Sequence, residues 1–179
     1  MPAKKSAISA PSKPSSTSAE AAPTLEGAKA PQFEMPDAAG KKVSLRDLVG
    51  RKNLVIYFYP KDMTPGCTTE ACSFRDNLDG IRRTGAQIIG ISGDTSASHQ
   101  KFIDKHALNF PLLSDVGNEV GKRYGVYKMK SLYGRQYMGY ERTTMVIDRS
   151  GVIRKVFPKV KVNGHTAEVI AALKEIGAS

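Results

Sequence analysis

The sequence predicts an α/β domain with a central mixed β-sheet flanked by helices, and three observations predict it. Short apolar runs suited to buried strands alternate along the chain with segments of helical periodicity. The alternation ends in two strands joined by a tight turn and a last amphipathic helix, a mixed rather than purely parallel arrangement. Of 179 residues, 40% are apolar and 25% charged, enough to bury one core and too little chain for two unrelated large domains.

Residues 1–26 are rich in Ser, Ala, Pro and Lys with almost no large apolar side chain, so they cannot offset the entropy of ordering. A disordered tail is expected there, with the working domain over residues 27–179. Pro36-Asp37-Ala38-Ala39-Gly40 reads as a turn between two short strands, and Ser44-Leu45-Arg46-Asp47 as a capping box that opens a short helix. Asn53 to Tyr59 is a central strand, apolar on both faces as a covered sheet requires. Beyond the Pro60 to Gly66 loop, Cys67, Ala71, Phe74, Leu78 and Ile81 recur at intervals of 4, 3, 4 and 3, one face of a single helix ended by Gly85.

Gln87 to Ile91 is the next strand, followed by a helix over Ser96 to Ala107 with Phe102, Ile103 and Ala107 facing inward. Leu112-Leu113 marks a short strand and Asn118 to Tyr124 a short helix. Thr143 to Ile147 and Val152 to Phe157 flank Asp148-Arg149-Ser150-Gly151, a hairpin turn. His165 to Ile176 closes the chain as an amphipathic helix with Val169, Ile170, Leu173 and Ile176 inward. Tyr124, Tyr127, Tyr133, Tyr137 and Tyr140, interleaved with basic residues, are expected in a loop packed beside the functional site. His99, His106 and His165 show no ligand spacing with carboxylates or thiols, and surface or helix-packing positions are expected for all three.

Composition excludes several function classes. No run approaches the roughly 18 apolar residues of a membrane helix. Two cysteines, Cys67 and Cys72, exclude a multi-disulfide scaffold, and the basic opening lacks the apolar core of a secretory signal. A reducing, cytoplasmic setting is expected, with an organelle or the nucleus as the alternative that the tail could direct. The net charge of +10 is concentrated beyond residue 120, where 12 basic residues face 4 acidic ones. That third reads as a solvated basic face, since no helix-turn-helix, zinc-finger or RNA-binding signature accompanies it.

The informative stretch is Tyr59-Pro60-Lys61-Asp62-Met63-Thr64-Pro65-Gly66-Cys67-Thr68-Thr69-Glu70-Ala71-Cys72. It sets a cysteine in the first turn of a helix, after a loop leaving a central strand, where unpaired N–H groups and a partial positive charge favour a thiolate. Gly66 permits close backbone approach, Pro60 and Pro65 stiffen the loop, and Thr64 offers a hydroxyl. By position alone, Cys67 could equally be a small buried hydrophobe. The Cys-x4-Cys spacing is not that of a thioredoxin-like redox pair, and no second pair exists to complete a zinc site. On one helix, five residues separate the two by roughly 7.5 Å of rise and 140° of rotation, with Cα atoms about 8 to 9 Å apart. A disulfide between them therefore requires the first turns to unwind, which would make it a switch and not a staple. Glu70, an acid in the first turns, could make a supporting contact to the site.

Pro60-x3-Thr64-x2-Cys67 matches the active-site signature of the peroxiredoxins, and FYPKDMTPGCTTEACSFRD closely resembles the peroxiredoxin Q branch, also called bacterioferritin comigratory protein. The resemblance runs from about Gly27 to Ile176 and includes GISGD, FPLLSD, ERTTMVIDRSG and VNGHTAEVIAAL. It implies a thioredoxin-like fold and a thiol-dependent peroxidase acting on hydrogen peroxide or small organic hydroperoxides without metal or organic cofactor. It further implies Cys67 as the peroxidatic and Cys72 as the resolving cysteine, Thr64 bonded to thiolate and peroxide, Pro60 shielding the sulfenic acid, and Arg142 completing the pocket. Arg142 also fits on independent grounds, as a permanent cation next to a core strand. Thioredoxin, or glutaredoxin, is the implied reductant, and a monomer the implied state. The alternatives are a one-cysteine peroxidase with external thiol resolution, or a basic nucleic-acid-binding module with structural cysteines.

Overall fold

The computed structural model describes residues 25–177. Strands β1 (Glu34–Pro36) and β2 (Lys42–Ser44) pair antiparallel across the Asp37–Gly40 turn, and Ser44 caps α1 (Leu45–Leu48) with Asp47 completing the capping box. Then follow β3 (Asn53–Phe58), α2 (Pro65–Asp76), α3 (Leu78–Arg83), β4 (Ala86–Ser92), α4 (Ser96–His106), β5 (Leu112–Ser114) and α5 (Glu119–Arg123). The chain ends with β6 (Tyr127–Leu132), β7 (Arg135–Tyr140), β8 (Thr143–Ile147), β9 (Ile153–Phe157) and α6 (His165–Gly177).

Five strands form the central sheet in the order β5-β4-β3-β8-β9. Here β3 runs parallel to β4 and β4 to β5, whereas β8 is antiparallel to both β3 and β9. All six residues of β3 are buried because both faces are covered. Val55, Tyr57 and Tyr59 point into one apolar layer with α2, α3, α4 and α6, while Leu54, Ile56 and Phe58 point into the other with α1 and α5. Gly90 makes room for the Tyr57 ring, since a Cβ there would lie 2.8 Å from its Cζ. No helix among the described residues is long and apolar enough to cross a membrane.

Four expectations are corrected. The single helix from Cys67 to Gly85 is two, interrupted at Asn77 (φ −109°, ψ 14°), whose side chain donates to the Ser73 carbonyl and competes with the helix for it. Ala107 does not face the core; it is an exposed, left-handed helix cap with φ 49°. The tyrosine-rich stretch is not a loop but the hairpin β6–β7, turning at Tyr133 and Gly134, both at positive φ as a two-residue hairpin turn requires. His99 is not a surface or simple packing residue, being fully buried in a polar network described below. The expected disordered tail lies outside the described residues up to residue 24; Leu25 already packs against the core, and Glu26 accepts a hydrogen bond from the Val156 N–H.

Candidate active site

The end of β3 delivers Tyr59 and the loop that becomes α2. Thr64 is the N-cap residue, Pro65 opens the helix with its φ already set, and the Thr68 N–H donates to the Thr64 carbonyl at 2.8 Å. No side chain caps this helix, because the Thr64 hydroxyl donates instead to the Lys61 carbonyl at 2.8 Å. By helix geometry the N–H groups of Gly66 and Cys67 have no partner within the helix, and they concentrate its positive end beside the Cys67 thiol. Cys67 itself is 1% exposed, on the inner side of α2 with Ala71 and Phe74.

Arg142 comes from just before β8, the strand next to β3 in the sheet. Thr143 pairs with Phe58 in the β8–β3 ladder, so the residue before β8 emerges next to the loop that leaves β3. Its Nη2 donates to Cys67 Sγ at 3.3 Å and its Nη1 to Glu70 Oε1 at 2.9 Å. Gly66 is what lets the guanidinium lie so close, since a Cβ on it would sit 3.1 Å from Nη2. Burial opposes the charge on Arg142, but Glu70 and Cys67 outweigh it and hold the guanidinium more firmly protonated than usual.

Glu70 responds in the opposite sense. Its burial pushes the carboxyl up to about 7, against the attraction of Arg142. Oε2 has no hydrogen-bond partner among the described residues, so a proton can sit there while Oε1 keeps its bond to Arg142. Tyr57 lies close enough to feel these groups: burial first, then the negative charges of Glu70 and Cys67, raise its phenol well above the ordinary value and keep it neutral.

The structure thus brings Cys67, Arg142 and Glu70 into contact. Thr64 stands at the start of the helix but is bonded to Lys61, and Pro60 is exposed at the loop's entrance. Cys72 is half-buried on the same helix as Cys67, and both thiols are free. Sequence reasoning singled out each of these positions; it missed a second cluster. Asp62 Oδ1 accepts from the Tyr59 hydroxyl at 2.6 Å, and Oδ2 from the Ser98 hydroxyl at 2.8 Å. Oδ2 also lies 2.7 Å from His99 Nδ1, whose Nε2 faces the Leu113 carbonyl at 3.0 Å. The Asp62 N–H donates to Asp94 at 2.9 Å, and Asp94 accepts in turn from the Ser92 hydroxyl at 2.7 Å. Potential ligand atoms of Asp62, Asp94 and His99 all lie within 4.8 Å of one another, and Asp62 Oδ2, Asp94 Oδ2 and both ring nitrogens of His99 already take part in hydrogen bonds inside the network. With Asp62 and His99 37 positions apart, no local spacing could have revealed the pair.

A family model described as AhpC/TSA family matches residues 27–156. Peroxiredoxin Bcp of Bacillus subtilis is 47% identical over 154 residues, covering 86% of this chain and 98% of that protein. Peroxiredoxin Bcp of Escherichia coli is 43% identical over 153 residues, covering 86% and 97%. Among solved structures, the bacterioferritin comigratory protein of Xanthomonas campestris, studied for its alkyl peroxide reduction activity, superposes with a TM-score of 0.77 at 40% identity, covering 81% of this chain and 92% of that one.

Proposed function

The chain belongs to the AhpC/TSA family, within its peroxiredoxin Q/Bcp branch of thiol peroxidases with a thioredoxin-like fold, and from that premise we propose that Cys67 reduces the peroxide, Cys72 resolves the product and a thioredoxin-type dithiol regenerates the enzyme. The observation that carries this reading is the Arg142 Nη2 contact to Cys67 Sγ, 3.3 Å long, at the uncapped start of α2. Cation and helix dipole together face the reacting sulfur and are placed to stabilise the negative charge that develops on the departing oxygen.

The Cys67 thiolate attacks one oxygen of a hydroperoxide, the O–O bond breaks with its electron pair leaving on the distal oxygen, and that oxygen takes a proton to give water or alcohol. Cys67 is left as a sulfenic acid, sheltered by Pro60, with Thr64 positioning the peroxide once its hydroxyl turns from Lys61. Opening of the first turns of α2 brings the Cys72 thiol to that sulfur, forming a disulfide and releasing water. Thioredoxin, or glutaredoxin, then reduces the disulfide by thiol exchange and is itself oxidised. Alkyl hydroperoxides are substrates alongside hydrogen peroxide, in line with the activity described for the Xanthomonas relative.

Peroxide-dependent NADPH oxidation coupled through thioredoxin and its reductase tests the assignment. Cys67→Ser should abolish turnover, and full turnover in that variant would refute the assignment. Mass spectrometry after one equivalent of peroxide separates the resolving routes. Loss of two hydrogens in the wild type, absent in Cys72→Ser, is expected, whereas a persistent sulfenic acid in the wild type would favour a one-cysteine peroxidase.

A further inference from the structure

Met63 has φ 66°, the left-handed region that residues other than Gly adopt only when their surroundings impose it. Its side chain is 40% exposed, so packing of the side chain does not impose it. Its two neighbours do. On one side every polar atom of the Asp62 side chain is engaged, by Tyr59, Ser98 and His99, and its N–H is held by Asp94. On the other side the Thr64 hydroxyl closes back onto the Lys61 carbonyl, spanning Met63.

Resting on the peroxidase reading above, we propose that Asp62 and His99 are positioning residues for the reaction of Cys67: they hold the Pro60–Thr64 loop in the shape that fixes where α2 begins. Neither touches Cys67. Their partners belong to the end of β3, to α4 and its approach, and to β5, none of which carries a cysteine. When the lock is cut, Met63 relaxes to negative φ and turns Thr64, Pro65 and Gly66 with it. The Gly66 and Cys67 N–H groups and Sγ then lose their alignment with Arg142 Nη2. The loss falls on the rate constant for peroxide, because the later disulfide reduction uses the opened helix, in which this alignment plays no part.

Two isosteric variants of the full-length chain separate positioning from packing. His99→Asn sets an amide nitrogen where Nδ1 faces Asp62, and His99→Gln sets one where Nε2 faces the Leu113 carbonyl. Competition against a haem peroxidase for hydrogen peroxide reads the rate constant, and thermal midpoints report folding. His99→Asn should keep the rate near that of the wild type, while His99→Gln should lose about tenfold. Adding Met63→Gly to His99→Gln should restore most of the loss, because Gly adopts φ 66° without the lock. The reverse order of the two variants, wild-type rates in both, or no rescue by Met63→Gly would overturn the proposal. If both variants lose rate, the Met63→Gly rescue decides in the same way. Should His99→Gln fail to fold, Ser98→Ala takes its place, with a smaller loss and the same rescue expected. A wild-type chain that cannot compete for peroxide at all would instead remove the peroxidase reading itself.

Discussion

On the loop side of Cys67, Asp62 is held by Tyr59, Ser98, His99 and Asp94, whereas on the helix side Glu70 is held by Arg142. The first set of bonds joins the loop to the central sheet and α4, which the proposed Cys67–Cys72 disulfide would leave alone. The second crosses between α2 and the residue before β8, and the proposed opening of α2 would have to break it. The side chains that an opening of residues 66–72 would take from the core are small, Cys67 and Ala71. The next one inward is Phe74, whose burial is worth roughly 1.5–3 kcal/mol and sets a limit to the opening. The mechanism proposed above, in which Cys67 attacks peroxide and then exchanges with Cys72, needs one shoulder that holds and one that yields.

Removing Arg142 should have the largest effect, since it cancels both the cation at sulfur and the tie on Glu70. Arg142→Gln is expected to slow Cys67 oxidation by about 10² to 10³, the usual cost of one preorganised donor to developing negative charge. Competition kinetics with hydrogen peroxide would read this, and a loss below tenfold would mean that the helix N-terminus carries the stabilisation alone. Gly66→Ala tests the same contact more gently. The new Cβ, 3.1 Å from Nη2, must push the guanidinium aside by a few tenths of an ångström, and a loss of about tenfold follows if the 3.3 Å contact matters. The Asp62 network is untouched by either change, so the thermal midpoint of Gly66→Ala should stay close to that of the wild type.

Glu70 makes the helix side sensitive to pH. Because burial raises its carboxyl to about 7, between the ordinary carboxylate range and that value the folded chain holds a proton that the unfolded chain has lost. This contribution to stability is fully present at low pH and is lost as pH rises through about 7. Urea midpoints of the wild type should therefore fall relative to Glu70→Gln between pH ~5 and ~8, where the amide has nothing to titrate. Opening of α2 returns Glu70 to water as unfolding does, so disulfide formation after one equivalent of peroxide should accelerate with pH more steeply in the wild type than in Glu70→Gln. Parallel pH profiles of the two proteins in both measurements would show that Glu70 does not govern the yielding side.

The sequence made the yielding side legible and left the holding side dark. Cys67, Glu70 and Cys72 share one helix, so their spacing alone conveys their geometry, whereas Arg142 is placed by the family resemblance, its position before the apolar run of β8 only agreeing with that. Asp62, Asp94 and His99 come together only through the order of β3, β4 and β5 in the sheet, which periodicity does not encode. The break at Asn77 was hidden for a related reason: Leu78 and Ile81 keep the helical repeat across it, so the apolar pattern is continuous where the backbone is not. The β6–β7 hairpin escaped because its turn is Tyr133-Gly134 and its strands carry exposed Met129, Leu132, Tyr137 and Met138 in place of a clean polar alternation.

Ala107 offers the smallest and cleanest change on the holding side. It ends α4, the helix that carries Ser98 and His99, at φ 49° and ψ 45°, its N–H bonded to the Ile103 carbonyl and its side chain exposed. Gly suits that conformation without the steric cost that a Cβ meets there, and although Gly adds freedom to the unfolded chain, caps of this kind favour it on balance. Ala107→Gly should therefore stabilise the protein by about 0.5–1 kcal/mol, raising the thermal midpoint by roughly 1–4 °C. The rate with peroxide should not change, because a firmer end to α4 moves neither Asp62 nor Arg142. A lower midpoint would show that the cap is not strained by its Cβ. A shift in peroxide rate as large as that of Gly66→Ala would show that α4 and α2 move together, and the division between a holding and a yielding shoulder would fall.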